Sequence, residues 1–472
     1  MENSKYKATI GLEIHAEMKT KTKMFCSCKN DPDEEKPNVN TCPICLGHPG
    51  TLPVINKQAV KNVLKMGLAL GAKLADFTEW DRKNYFYPDI PKGYQISQYK
   101  YPLIIGGKLN GINITRIHLE EDTASSSHES GDFSLVDFNR AGVPLMELVT
   151  EPELHNGKDT ANFARELQLL LQYLGVGEAN MEKGEMRIEA NISVSDTDKL
   201  GTKVEVKNIN SFKAVEKAVA YEIERQILAL ENGEKIVQET RGWNEDRQIT
   251  FSQRLKEESH DYRYFPDPDL PKMKISEIPE FSIENLKKEL PELPWQKRER
   301  YEKDYGIKVV DVEIFVRPGI ISTFFEKVCA DFNGDKNLIK LASNYIISDL
   351  LGLMKGNDNL GKIEDKDFAA LIKMVAESKI SSRGAKDILK VMYEQGGQPA
   401  DIAEKNDLLQ KSDLGELQKI AEKIIMDNSK VVADYKAGKQ AALMSLVGQG
   451  MKVTKGSANP QVLKEVFLKL LS

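Results

Sequence analysis

Along the first 290 or so residues, apolar and polar side chains alternate with a period of two in several short runs. In Thr9–Glu17, Ile10, Leu12 and Ile14 fall on one side and Glu13, His15 and Glu17 on the other. The same alternation sets Ile117 and Leu119 against Arg116, His118 and Glu120. It sets Met186, Ile188, Ala190 and Ile192 against Arg187, Glu189, Asn191 and Ser193, and Val204 and Val206 against Lys203, Glu205 and Lys207. Between these runs the period lengthens to that of a helix. Residues 57–74 carry Val60, Val63, Leu64, Met66 and Leu68 on one stripe, and 160–174 carry Phe163, Leu167, Leu170, Leu171 and Leu174 ahead of Gly175 at a capping position. A third helix is expected over 214–230, ending before Asn232–Gly233. The mixture predicts an α+β region built on an antiparallel sheet.

Pro291 and Pro294 interrupt this pattern, since proline continues neither a helix nor a central strand. Everything after them reads as helices, with a further break at Gly396-Gly397-Gln398-Pro399. Domains over 1–294, 295–396 and 397–472 are expected, in keeping with a chain of 472 residues that outgrows one core. No apolar run approaches the roughly 20 residues of a membrane span, and the first residues carry no apolar signal segment, so a cytoplasmic location without membrane partners is expected.

Charge alters the picture only locally. The formal net charge of −6 excludes a globally basic nucleic-acid binder. Residues 430–472, however, hold seven lysines against Asp434 and Glu465, a balance of +5 that fits either an RNA contact or solvated helix faces. The polar strand faces combine carboxylates, which suit a hard cation such as Mg²⁺, with Arg and Lys, which suit phosphate oxygens. That is the pairing phosphoryl transfer requires, although ordinary cross-strand ion pairs account for any single pair. Neither a G-x-x-x-x-G-K-[ST] loop nor a G-x-G-x-x-G turn is present, so a nucleotide site would be borne by the sheet. Cys26, Cys28, Cys42 and Cys45 form a C-x-C and a C-x₂-C half-site and predict a structural Zn²⁺ with a shell filled by the protein. Cys329 stands alone among apolar residues and reads as core. Two stretches, Asp81–Asp89 and Asp261–Asp269, interleave basic and aromatic residues and end in Pro-Asp, suiting a base or ribose or simply packing on the sheet.

Taken together and in order, Gly11-Leu12-Glu13-Ile14-His15, Asp81–Asp89, Tyr94-Gln95-Ile96-Ser97-Gln98, His118-Leu119-Glu120-Glu121-Asp122, Asp137-Phe138-Asn139-Arg140 and Asp261–Pro266 resemble the motifs of the B-subunit family of aspartyl/glutamyl-tRNA(Asn/Gln) amidotransferases. Leu446–Lys452 and Thr454-Lys455-Gly456 are similar to that family's tail. The resemblance implies a catalytic cradle similar to the glutamine synthetase fold, a helical domain and a small tail that recognises tRNA, through Lys436, Lys439, Lys452 and Lys455 here. It implies that ATP phosphorylates the side-chain carboxylate of Glu-tRNA(Gln) or Asp-tRNA(Asn), and that ammonia from a separate amidase A subunit, held by a small C subunit, then displaces phosphate. By position it assigns Glu13, His15, Glu121 and Glu147 to metal binding and catalysis, with Glu120 and Glu151 as substitutes. Alternation places Glu120 rather than Glu121 beside His118, and the two remain open. Arg187, Glu189, Ser193, Lys203, Glu205, Lys207 and Asn208 are assigned by the same resemblance to phosphate, nucleotide and metal handling. Competing readings are a tRNA-docking scaffold whose partner performs the chemistry, and a stand-alone ligase acting on a free amino acid.

Overall fold

The computed structural model describes residues 5–127, 132–255, 262–410, 414–454 and 458–471. Two compact units divide at Pro294 and Trp295. The first is organised by a long mixed sheet. Its main path runs through β1 (Lys7–Glu17), β2 (Lys73–Leu74), β5 (Ile104–Ile105), β6 (Ile112–Glu121), β7 (Pro144–Thr150), β8 (Met186–Ser195), β9 (Val204–Ile209), β10 (Glu239–Asn244) and β11 (Ile249–Leu255), with the short strand Lys108–Leu109 paired to β6 off that path. They run across the sheet in the order β11-β10-β9-β8-β1-β7-β6-β5-β2. A smaller sheet of β3 (Asp81–Asn84), β4 (Tyr94–Ser97) and β12 (Phe265–Pro266) joins the two aromatic stretches, with Phe265 opposite Arg82. All the main-sheet pairings are antiparallel except one: β9 and β10 run parallel, joined by the long helix between them. The sheet is thus the antiparallel one expected apart from this pair, where a 20-residue helix returns the chain to the starting end.

Helices α1 (Lys57–Ala69), α2 (Gly157–Tyr173) and α3 (Phe212–Glu231) appear where the 3.6-residue periodicity places them. Each starts on a side chain that accepts from the orphan N–H groups of the first turn: Asn56, Asn156 and Ser211. α3 packs on β8, β9 and β11, α1 on β6, and α2 on α3. Together with Ile10, Leu12, Ile14, Ile188, Ala190, Val204 and Val206, all 2% exposed or less, they make the core. Burial of the apolar set leaves the opposite face of β1, β6, β7, β8 and β9 to the polar set.

The second unit is helical: α4 (Pro294–Lys303), α5 (Ile320–Ala330), α6 (Asp365–Ala376), α7 (Ser382–Gln395), α8 (Pro399–Lys405), α9 (Leu414–Asp427), α10 (Ser429–Lys436), α11 (Gln440–Val453) and α12 (Pro460–Leu471) are its main elements. Cys329 is buried, as its apolar setting predicts. The break at Gly396–Pro399 does not separate two cores, because α8 packs back on α6 and α7. A distinct apolar core begins later, at α9, where Leu417, Ala421 and Ile424 pack with Leu443, Leu446, Leu463 and Phe467. No helix among the described residues is long and apolar enough to cross a membrane.

Candidate active site

Strand register assembles the polar face. His118 on β6 stands opposite Glu147 on β7, Glu147 opposite His15 on β1, and His15 opposite Arg187 on β8. In the adjoining row Glu13 faces Glu189. Four strands far apart in the sequence therefore contribute one floor. His15 Nε2 lies 3.4 Å from Glu147 Oε2 and 3.7 Å from Glu120 Oε1, and His118 Nε2 lies 3.4 Å from the same Glu147 oxygen. β9 enters with a bulge: Asn208 takes φ 60°, a left-handed conformation that asparagine tolerates, and the register slips by one residue. Ahead of that slip, where Ala190 pairs with Val206, Lys207 falls beside Glu189 and reaches it at 2.7 Å, and Glu205 at 3.8 Å.

Above this floor a cavity of about 340 Å³ is lined by Glu13, His15, Glu120, Arg187, Glu189 and Lys207, and walled by Lys83, Tyr85, Tyr87 and Tyr262. Lys83 Nζ sits 5.0 Å from the centre of the Tyr262 ring. Tyr85 and Tyr262 meet edge to face at 5.9 Å, bracing the two aromatic stretches against each other, and Tyr264 stacks on Tyr99 at 4.3 Å nearby.

The electrostatics are those of crowded anions. Burial, with Glu147 and Glu189 close by, raises the pKa of Glu13 above the ordinary carboxylate value. Burial works against a charged His15, but the hydrogen bond and charge of Glu147, with Glu189 and Glu120 behind, lift it to about 9. Burial likewise opposes ionisation of Glu147, yet His118 and His15 hold its carboxyl well below the usual range. For Lys83 the burial penalty is outweighed by Glu120 and Glu147, so it remains an ammonium. At the far edge burial and Asp122 push Glu17 up to about 8.

Two donor sets share Glu13. Ligand atoms of Glu13, His15 and Glu147 lie within 4.8 Å of one another, as do those of Glu13, Glu189 and Glu205; a third set is His118, Glu120 and Glu147. Carboxylates with one imidazole suit a hard divalent cation. Glu13 accepts no hydrogen bond from any described residue, and the buried Nδ1 of His118 has no partner. Buried polar atoms left in this condition point to an external group that satisfies them, so the residues fit a bound cation.

The sequence-derived candidates distribute unevenly around this floor. Glu13, His15, Glu120, Glu147, Arg187, Glu189, Glu205 and Lys207 converge on it. Glu121 does not: β6 keeps its pleat to its last residue, so the Glu121 carboxylate turns to the other side, where Lys92 Nζ and the backbone N–H of Ile96 hold it. Glu151 lies past a register shift that ends β7 and accepts from Thr115 Oγ1 at 2.7 Å. Ser193 is buried opposite Thr9, beyond Asn191 from the cluster, and Lys203 is exposed ahead of β9. Asn208 commits its amide to the Trp243 carbonyl. Residues absent from the candidate set but present in the cavity or its floor include His118, Lys83, Tyr85, Tyr87, Tyr262 and Asp122. Alternation signalled His118, and the basic-aromatic stretches signalled Lys83 and the tyrosines; nothing in the pattern signalled Asp122, which follows the last strand residue.

The four cysteines Cys26, Cys28, Cys42 and Cys45 gather with all sulfurs within 4.8 Å and no disulfide. Cys42 Sγ and Cys45 Sγ are 3.9 Å apart, against the roughly 3.8 Å edge of a thiolate tetrahedron with bonds of about 2.3 Å. Hydrogen bonding from Cys26, with Lys23 close by, holds the Cys45 thiol down to about 5 despite its burial. In the second unit Lys436, Lys439 and Lys452 are exposed at helix ends, Lys439 pairing with Asp434 at 2.9 Å, and Lys455 lies outside the described residues.

Comparison with known proteins agrees with this geometry. Residues 8–279 match the family model described as the GatB/GatE catalytic domain, and residues 323–471 match the GatB domain. Curated proteins named as B subunits of aspartyl/glutamyl-tRNA(Asn/Gln) amidotransferase are similar end to end. That of Gloeothece citriformis is 43% identical over 99% of this chain and 98% of its own length. Those of Thermoanaerobacter pseudethanolicus and Caldanaerobacter subterraneus are 44% and 45% identical over 99% of this chain and all of theirs. An in-register acidic floor under basic and aromatic walls, a helical second unit and matches over both halves lead to one assignment: the chain belongs to the family of aspartyl/glutamyl-tRNA(Asn/Gln) amidotransferase B subunits.

Proposed function

We propose that the cradle uses ATP to activate the side-chain carboxylate of a glutamyl or aspartyl residue esterified to tRNA(Gln) or tRNA(Asn). A carboxylate oxygen attacks the γ-phosphorus, the bond to the bridging oxygen breaks, and ADP leaves. Ammonia then attacks the acyl carbon, inorganic phosphate departs with the carbon–oxygen electron pair, and loss of a proton from nitrogen leaves the amide. The observation that supports this reading is the floor itself: carboxylates and imidazoles brought together by register, with Glu13 and the buried Nδ1 of His118 lacking a hydrogen-bond partner among the described residues.

Glu13, His15, Glu147, Glu189 and Glu205 are the residues that would hold divalent cations, which supply neutralisation of phosphate charge. Lys207 and Arg187 would meet phosphate oxygens from the floor, and the Lys83 ammonium from the wall. Tyr85, Tyr87 and Tyr262 narrow the access of water to the acyl phosphate. Ammonia is supplied by an amidase A subunit held through a small C subunit, and the lysine-bearing helices of the last 60 or so residues hold the tRNA body. Zn²⁺ at the cysteine quartet would staple the loop and take no part in the reaction.

The test is ADP formation by the reconstituted three-subunit complex with ATP, Mg²⁺, ammonia and each mischarged tRNA. ADP appearing only when Glu-tRNA(Gln) or Asp-tRNA(Asn) is added is the expected outcome. Amidation that survives Glu13→Gln would instead make the chain a docking scaffold.

A further inference from the structure

Asp122 follows the last residue of β6, with its side chain 2% exposed. Its Oδ1 accepts from Arg187 Nη2 at 2.8 Å, and its Oδ2 lies 3.6 Å from Arg140 Nε. The two arginines differ in what else they do. Arg140 is committed to the backbone, donating to the carbonyls of Thr123 and Ala124 at 3.1 Å each. Among the described residues the Arg187 guanidinium has no hydrogen-bond partner but Asp122. One of its five donors is used, and the side chain is 39% exposed on the cavity it lines.

Other anions compete for that guanidinium. Glu17 and Glu120 are both within electrostatic reach. An arginine drawn onto Glu120 would neutralise a carboxylate of the metal-donor sets and turn its donors away from the cavity. Asp122 belongs to none of those sets. Because it is buried and its Oδ1 also accepts from the backbone N–H of Thr123 at 2.8 Å, it offers a fixed anchor for the flexible arginine stem.

We propose that Asp122 is the positioning residue for Arg187, holding the guanidinium off the metal-donor carboxylates so that its unused N–H groups face the charge that develops on the transferred phosphoryl oxygens. The inference rests on the phosphoryl-transfer reading of the cradle. Misplacing a group of this kind by an ångström costs about 10²-fold in rate.

The experiment is ADP formation by the complete complex with ATP, Mg²⁺ and mischarged tRNA. Asp122→Asn should lower kcat by about 10²-fold with KM for ATP and tRNA near wild type. Arg187→Ala should fall as far, and the double variant no further. Millimolar guanidinium should restore Arg187→Ala but not the double variant. Wild-type kcat in Asp122→Asn, multiplied losses in the double variant, or equal restoration in both backgrounds would overturn the proposal. Should Asp122→Asn fail to fold, Arg187→Ala alone decides: restoration by guanidinium supports the anchor, and no restoration refutes it. A wild-type complex that forms no ADP removes the reading of the cradle and this inference with it, whereas an active wild type beside an unaffected Asp122→Asn removes this inference alone.

Discussion

The first unit buries two acidic centres, one on each face of its sheet, and they are built on opposite principles. Beneath α3 the fully buried Glu222 accepts from Arg225 Nε and Nη2 at 2.9 and 2.6 Å, from Gln226 at 2.9 Å and from Thr250 at 2.9 Å, with Arg241 3.6 Å away. On the cradle face Glu13 accepts no hydrogen bond from the described residues and is crowded by Glu147 and Glu189. A buried carboxylate with a full set of donors is a structural joint. Carboxylates turned on one another, with a cavity above, store repulsion that a cation or a phosphate-bound metal relieves. Burial alone therefore says little about role; the partner inventory separates the two.

The sharpest way to break this contrast is to neutralise one member of each centre. Glu13→Gln should reduce ADP formation about 10³-fold, as losing a preorganised charge in such a site does, while leaving the melting temperature unchanged or raised because repulsion is relieved. A clear fall in thermal stability would place Glu13 with the structural joints. Glu222→Gln should do the reverse. It leaves Arg225 and Arg241 facing an uncharged group under α3, costing about 3 kcal/mol in denaturant unfolding, with kcat of the folded enzyme intact.

Smaller effects refine the picture. Cys28→Ser, or removal of metal by a chelator, should lower the melting temperature by about 5 °C without changing ADP formation per folded molecule. Elemental analysis of the purified chain should find about one zinc, and a drop in kcat that exceeds the loss of folded protein would tie the loop to chemistry. The smallest effect is expected in the helical unit. There Glu326 is held below its ordinary pKa, burial being outweighed by hydrogen bonds from Arg300 and Tyr301. A depressed carboxyl stabilises the fold above its unfolded value near 4.5, and the contribution is lost as pH falls through the folded value. Glu326→Gln should flatten that acid limb by less than about 1 kcal/mol, since the side chain is one-third exposed and screened.

Much of this was legible before any coordinates. The alternation in Thr9–Glu17 and Glu185–Ser193 correctly separated Ile10, Leu12 and Ile14 from Glu13 and His15, and Met186 and Ile188 from Arg187 and Glu189. The second and third predicted helices stand within about three residues of their expected bounds, whereas the first stops at Ala69 and the expected end at 74 falls in β2. Glu120 and Glu121 were less tractable, because the outcome depends on whether the strand keeps its pleat up to Asp122. It does, and hydrogen bonds from β4 to Glu121 are part of the reason. The break at Gly396–Pro399 misled because a Gly-Pro interruption marks the end of a helix equally well whether or not the next helix shares its core.

What the sequence by itself determined is which face each side chain takes, since a period of two or 3.6 is a local property of the backbone. It also determined the two cysteine half-sites, whose spacing is local. Only the tertiary structure decided which polar faces meet. The row from His118 through Glu147 and His15 to Arg187 exists because β6, β7, β1 and β8 pair in one register. A slip of one residue would scatter it to both faces. Register is set by long-range hydrogen bonds and by the shared core beneath α1, α2 and α3, and the pairing of Ala190 with Val206 sets Lys207 beside Glu189 in the same way.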